Sequence, residues 1–196
     1  MIVMRKNVKE DIIKATIELI NEKGSNIDEI TVRDICNRVG IGAGLVNYHF
    51  QTKENLIAQC VQKIISDIIK KTGDVYKNLP KMTPEEKLRI MVKYTCSFLE
   101  THENISRISI ITDLTTINQN DNTSQTLAAY LPLVRQAISD DIDDQEVKQR
   151  TYFMLLTLQS LFLRSTLLKK EIGIDFHNQQ QRESLVDNII DFYLNY

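Results

Sequence analysis

The chain lacks tryptophan altogether and holds only three prolines, six glycines, three cysteines and three histidines in 196 residues. So few helix breakers exclude a loop-rich or repeat-turn architecture. No period-two alternation bounded by turn residues stands out, which argues against a sandwich or barrel. Cys36, Cys60 and Cys96 are odd in number and far apart, so neither a disulfide framework nor a redox or metal pair is expected; they read as reduced, packed thiols. His49, His102 and His177 have no ligand-spaced partners, and no nucleophile elbow or strand-borne phosphate loop occurs. No metal, no cofactor and no enzymatic chemistry are expected. No apolar run approaches the length of a membrane span, and MIVMRKNVKED lacks the apolar core of a signal peptide. The expectation is a soluble protein that stays in the cytoplasm.

What is present is helical periodicity. Hydrophobic residues make up 42% and charged residues 26%, as in a folded globular chain. The fold class expected is all-α, with about nine helices. Net charge is −2, yet residues 1–71 hold 11 Lys/Arg against 9 Asp/Glu, and the remainder 13 against 17. The basic excess lies in the front third.

A first helix is expected from Asn7 to Gly24, with Ile12, Thr16, Leu19 and Ile20 inward and Arg5-Lys6 ahead of it as a basic arm or a solvated terminus. The densest signals follow, in TVRDICNRVGIGAGLVNYHFQTKENL, Thr31 to Leu56. Thr31 is a helix cap with Asp34 three residues on, Ile35 and Val39 form a short buried stripe, and Gly40 supplies a left-handed stop. GAGLVNYHF makes a second short helix, and Thr52 caps a third, long one carrying Ile57, Val61, Ile64, Ile65 and Ile68. Helix, glycine turn, helix is the layout that sets a recognition helix in the DNA major groove.

The run NYHFQTKENL resembles the aromatic-His-Phe-x-Ser/Thr-Lys-Glu-x-Leu pattern that closes the DNA-binding domain of tetracycline-repressor-like (TetR) regulators. TVRDICNRVGIGAG is similar to the segment preceding it in that family. The resemblance covers the first quarter to third of the chain. It implies an N-terminal three-helix helix-turn-helix domain, residues 1–52, and a helical effector-binding and dimerisation domain, residues 53–196. It implies a DNA-binding transcriptional regulator, a repressor released by a small molecule, that acts as a homodimer on a palindromic operator. The alternative is an interaction or DNA-organising protein of the same fold without such induction. Carried over by position, Thr31 meets a phosphate at its helix N-terminus. Gly42, Ala43, Gly44, Leu45 and Asn47 approach base edges, Tyr48 and His49 grip backbone phosphate, and Lys53 contacts another. Gly42-Ala43-Gly44 stands where relatives often carry Ser, Thr or Lys, which leaves few side chains for base readout.

Beyond the head, GDVYKNLPKM (Gly73–Met82) reads as a boundary loop, and Thr83-Pro84-Glu85-Glu86 as a complete helix start. Helices are expected from Ile105 to Ile117 and from Thr126 to Ser139 around Pro132, separated by the polar break NQNDNTSQ. The acidic run Asp140–Asp144 opens another helix. Tyr152 to Leu168 is apolar nearly all round and so needs cover on more than one side. With the stripe Leu185, Val186, Ile189, Ile190 and Tyr193 of the last helix, near Gln181 to Tyr196, it resembles the family's four-helix dimer interface. Met91, Thr95, Phe98, Thr112 and Arg164 are the candidate lining of an effector cavity. Arg164 would anchor an acidic ligand or pair with Glu100 or Asp187, the pairing being favoured.

Overall fold

The computed structural model describes residues 7–23, 29–77 (side chains to Asp67), 81–115 and 121–195. Among these residues there are ten helices and no strand. They are α1 (Val8–Lys23), α2 (Val32–Val39), α3 (Ala43–Phe50), α4 (Lys53–Lys77), α5 (Pro84–Thr101), α6 (Glu103–Thr115), α7 (Asn122–Ala137), α8 (Asp144–Leu163), α9 (Ser165–Ile172) and α10 (Gln179–Asn195). Gly24, the basic arm Arg5-Lys6, and Ile117 lie outside the described residues.

Two apolar cores organise them. The first gathers Ile12 and Leu19 of α1, Ile35 of α2, Val46 and Phe50 of α3, and Leu56, Ile57 and Val61 of α4. Ile105 of α6 closes it from the far side. The second holds Leu88 and Val92 of α5, Tyr130 and Val134 of α7, Met154, Leu158 and Phe162 of α8, and Val186 and Ile190 of α10. α4 runs between the cores and touches α1 and α3 on one side, α6 and α7 on the other.

Several expected boundaries hold because their caps are complete. Thr83 accepts from the Glu86 N–H at 3.2 Å, and the Glu86 carboxylate takes the Thr83 N–H at 2.8 Å, with Pro84 opening α5. Asp143 caps α8 through the Glu146 N–H at 2.8 Å, so the acidic run ends as a helix start. Arg89 and Lys93 of α5 both reach Asp187 of α10, at 3.1 and 2.7 Å, and pin the last helix down.

Three expectations are corrected. α4 continues through Gly73 to Lys77 where a loop was expected; a glycine costs a helix only about 1 kcal/mol against alanine and need not end it. Residues 78–80 of that segment lie outside the described ones. α7 begins at Asn122 rather than Thr126, because Asp121 caps it through the Ser124 N–H at 2.7 Å. Pro132 stands inside that helix and neither starts nor ends it. The expected helix Tyr152–Leu168 is divided at Arg164, which explains ten helices in place of nine. Arg107 of α6 caps the end of α8 by donating to the Leu163 carbonyl at 2.8 Å, and its guanidinium lies 5.4 Å from the Phe162 ring.

Candidate nucleic-acid interface and effector cavity

The head is built to hold α3 firmly by one side. Thr31 Oγ1 accepts the Asp34 N–H at 3.1 Å, while the Asp34 carboxylate takes the Thr31 N–H at 3.0 Å and its hydroxyl at 2.9 Å. Those Thr31 bonds, with Lys23 Nζ at 3.1 Å, hold the Asp34 carboxyl at about 2. The negative charge therefore stays at the positive end of α2. Gly40 has φ 73°, the left-handed value that stops α2, and its N–H returns to the Cys36 carbonyl at 2.8 Å.

α3 then buries Val46 and Phe50, one turn apart, and turns its other face outward. Tyr48 is 80% exposed and Leu45 41%. Gly42, Ala43, Gly44 and Asn47 are exposed as well, and the space beside Gly42 and Gly44 is open. Gly42 is the N-cap and offers no side-chain bond, so no side chain shields the first N–H groups of α3. His49 is half-buried, its ring 5.1 Å from Tyr48 and 6.1 Å from Phe50. Lys9 of α1 lies 5.6 Å from the Phe50 ring. Lys53, half-buried, opens α4.

The link from α3 to α4 is short and strained. Gln51 has φ 65° and ψ −52°, and the Thr52 N–H bonds to the Phe50 carbonyl two residues back at 2.7 Å. This is a γ-turn of the rare positive-φ kind, costing about 1–3 kcal/mol. The following bond, Asn55 N–H to Thr52 Oγ1 at 3.1 Å, starts α4 without slack. Nothing in the residue types QTK announces that turn.

A cavity of about 160 Å³ lies among α5, α6, α7 and α8, with Ile65 of α4 in its wall. Met91, Thr95 and Phe98, three of the candidates named from the sequence, border it. The Thr95 hydroxyl is engaged, donating to the Met91 carbonyl at 2.9 Å and accepting from Tyr130 at 2.7 Å. Thr112 lines a neighbouring cleft between α4 and α6 that shares Ser109, Asp113 and Asn122 with the cavity. Arg164 lines neither: its side chain is largely exposed and its nearest carboxylate is Glu171 at 3.9 Å. Its two expected partners are committed elsewhere, Asp187 to Arg89 and Lys93, and Glu100 to His177 at 3.5 Å.

Sequence reasoning missed the polar end of the cavity: Ser106, Ser109, Asp113, Asn122, Thr123 and Gln159. Asn122 and Thr123 were hidden inside a run that reads as a polar break. Gln159 carried the available signal, as the only amide within the apolar stretch of α8. The three cysteines are free and buried, and burial pushes the Cys60 and Cys96 thiols up to about 12.

Fold and site together define a helix-turn-helix segment, of the kind that seats a helix in DNA, followed by a cavity-bearing helical bundle. Residues 12–60 match the model of "Bacterial regulatory proteins, tetR family". Over 84 residues the chain is 27% identical to the regulator BetI of Escherichia coli, a match spanning 43% of this chain and 42% of that protein. The whole fold is similar to FadR of Bacillus subtilis, solved with stearoyl-CoA, at 16% identity and TM-score 0.61, covering 94% of this chain and 97% of that one. It is similar also to a TetR regulator of Rhodococcus sp. RHA1, at 14% identity and TM-score 0.62, covering 95% and 93%. Residues 12–60 thus carry the sequence pattern of the TetR family's regulatory head, and the rest of the chain shares the fold of those solved structures.

Proposed function

We propose that the protein is a dimeric transcriptional regulator, a repressor that leaves its operator when a small molecule enters the C-terminal cavity. One observation carries the DNA-binding part: α3 is anchored by Val46 and Phe50 while Leu45, Asn47 and Tyr48 face outward beside an uncapped helix start. In this reading residues 1–52 are the head and 53–196 the effector and dimerisation part, with the first turns of α4 packed into the head. Gly42, Ala43 and Gly44 allow close backbone approach, Leu45 and Asn47 meet base edges, and Thr31, Tyr48, His49 and Lys53 meet phosphates. The Thr31 hydroxyl is already held by Asp34, so its contact is made at the helix end.

The dimer surface is the outer face of α8 and α10. Phe153 and Phe192 are more than half exposed there, beside a shallow groove lined by Leu156, Leu161 and Tyr193. Two heads are needed to read a palindrome. Induction runs through α4: Ile65 lies in the cavity wall, and the tight turn at Gln51 ties the other end of that helix to α3. A ligand that favours the released state by about 1–3 kcal/mol would weaken operator binding about 5–150-fold. The stearoyl-CoA held by the similar FadR supports a small-molecule role for this fold. No helix among the described residues is long and apolar enough to cross a membrane, and the site of action is the cytoplasm, with the DNA.

The test is a salt titration of DNA binding with promoter fragments. Lys53→Ala should weaken binding to all fragments alike and reduce the log–log salt slope by about one. A wild-type protein with no duplex affinity at low salt would end this reading.

A further inference from the structure

The cavity has two unlike ends. Met91, Phe98, Leu99, Leu155 and Leu158 make one of them apolar. At the other, three side-chain atoms have no hydrogen-bond partner among the described residues: Ser106 Oγ, Asn122 Oδ1 and Gln159 Oε1. All three residues are more than nine-tenths buried, at 0%, 6% and 7% exposure. A buried polar atom left unserved is costly, so a cluster of three around one cavity calls for a partner.

Neighbouring bonds fix what kind of partner it is. Thr123 donates its single hydroxyl proton to the Asp113 carboxylate at 2.9 Å, so toward Gln159 it can only accept. Gln159 must then present Nε2 to Thr123, at 2.9 Å, and its carbonyl oxygen is left over. Asn122 faces Ser109 Oγ with its Nδ2 at 2.9 Å and keeps its carbonyl unserved; the Ser109 hydroxyl can serve either end of that amide, so Gln159 is the acceptor that the bonding fixes. Two amide carbonyls can only accept, and Asp113 adds a carboxylate to the same end. Among the described residues no Lys, Arg or His lines the cavity. The Ser106 hydroxyl is the one unpartnered group here with a proton to give, so a headgroup that only accepts, such as a carboxylate or phosphate, would meet more lone pairs than protons.

Resting on the effector reading above, we propose that the cavity selects a compact apolar molecule with a hydrogen-bond-donating nitrogen head, an amine or primary amide, and rejects organic acids. Asn122 and Gln159 receive the N–H groups, and Asp113 favours a cationic amine. An apolar cavity of about 150 Å³ is large enough for benzene, so about 160 Å³ suits one ring on a short arm. Burial of the Asp113 carboxyl, with the nearby Asp121 charge, raises its pKa despite the Thr123 bonds, consistent with a carboxylate that has no cationic neighbour among the described residues.

Four probes of similar size test this on the full chain: 2-phenylethylamine, phenylacetamide, phenylacetate and ethylbenzene, by calorimetry and heat stabilisation. The amine and amide should bind at least about tenfold more tightly than ethylbenzene, the value of one good hydrogen bond to a waiting acceptor, and phenylacetate should be weakest. Gln159→Leu should reduce the advantage of both the amine and the amide over ethylbenzene, the amide's more, because Asn122 and, for the amine, Asp113 remain; an unchanged advantage would show that Gln159 receives neither. Asp113→Asn should reduce the advantage of the amine and spare that of the amide. Phenylacetate binding as tightly as the amine would overturn the proposal. So would an amine no better than ethylbenzene, which would mean that ordered water serves the acceptors. If not even ethylbenzene binds, the effector cavity itself is refuted. A probe that binds with the expected preference but leaves DNA affinity unchanged would keep this selectivity and remove induction instead.

Discussion

Tyr48 and Phe50 are two residues apart on one short helix, and the structure assigns them opposite work. Phe50 is 2% exposed and packs into the first core; Tyr48 is 80% exposed. Removing a buried phenylalanine costs about 3–5 kcal/mol, whereas a surface substitution stays within about 0.5 kcal/mol. Tyr48→Ala and Tyr48→Phe should therefore melt with the wild type, and Phe50→Ala far below it. On DNA the order reverses. A phenol donating to a phosphate is a hydrogen bond to a charged group, about 1.5–3 kcal/mol, so Tyr48→Phe should lose about 10–150-fold in affinity. Because the phenol is neutral, the loss should be the same at each salt concentration, unlike that of Lys53→Ala. Fluorescence anisotropy on a labelled promoter fragment at three salt concentrations, beside a thermal melt, reads both quantities. If Tyr48→Phe and Tyr48→Ala both bind as the wild type does, the outward face of α3 is not the docking face.

The dimer surface predicts that Phe153→Glu with Phe192→Glu yields a folded monomer by sedimentation and circular dichroism; a persistent dimer would place the interface elsewhere. Ile189 is unsuited to that test, since it is 8% exposed within its own core and a charge there should unfold the protomer. Asp34 has a folded pKa of about 2, below its ordinary value, so its contribution to stability is present above about pH 4 and lost as pH falls through 2. Thr31→Ala should move the Asp34 titration back toward the ordinary carboxylate range, read by carboxyl chemical shifts; an unmoved titration would show that Lys23 sets it.

The head was legible because its information is local. Thr31, Gly40 and Thr52 act on backbone within three or four residues, as Thr83 does at the start of α5, so their chemistry can be read from spacing alone. The cavity was legible only on its apolar side, where Met91 and Phe98 follow helical periodicity. Its polar end depends on bonds between helices, Asn122 to Ser109 and Gln159 to Thr123, which no local pattern announces. Arg164 misled for the same reason. As an interruption it drew the eye, yet the cap that ends α8 comes from Arg107, far back in the chain. A charged residue in an apolar run marks either a ligand or a helix end, and only the partner's position decides which.

Ile65 belongs to two neighbourhoods at once. It packs against the core of the head and also forms part of the cavity wall. The two ends of the cavity therefore differ in how freely they can change over evolutionary time. Substitutions at Asn122 or Gln159 can exchange one ligand for another while the seating of the recognition helix stays as it is. A substitution at Ile65 alters the volume offered to the ligand and the packing beneath the head in one stroke. If the proposed induction holds, descendants of this protein that acquire new inducers should carry their changes on α7 and α8, with the α4 wall preserved.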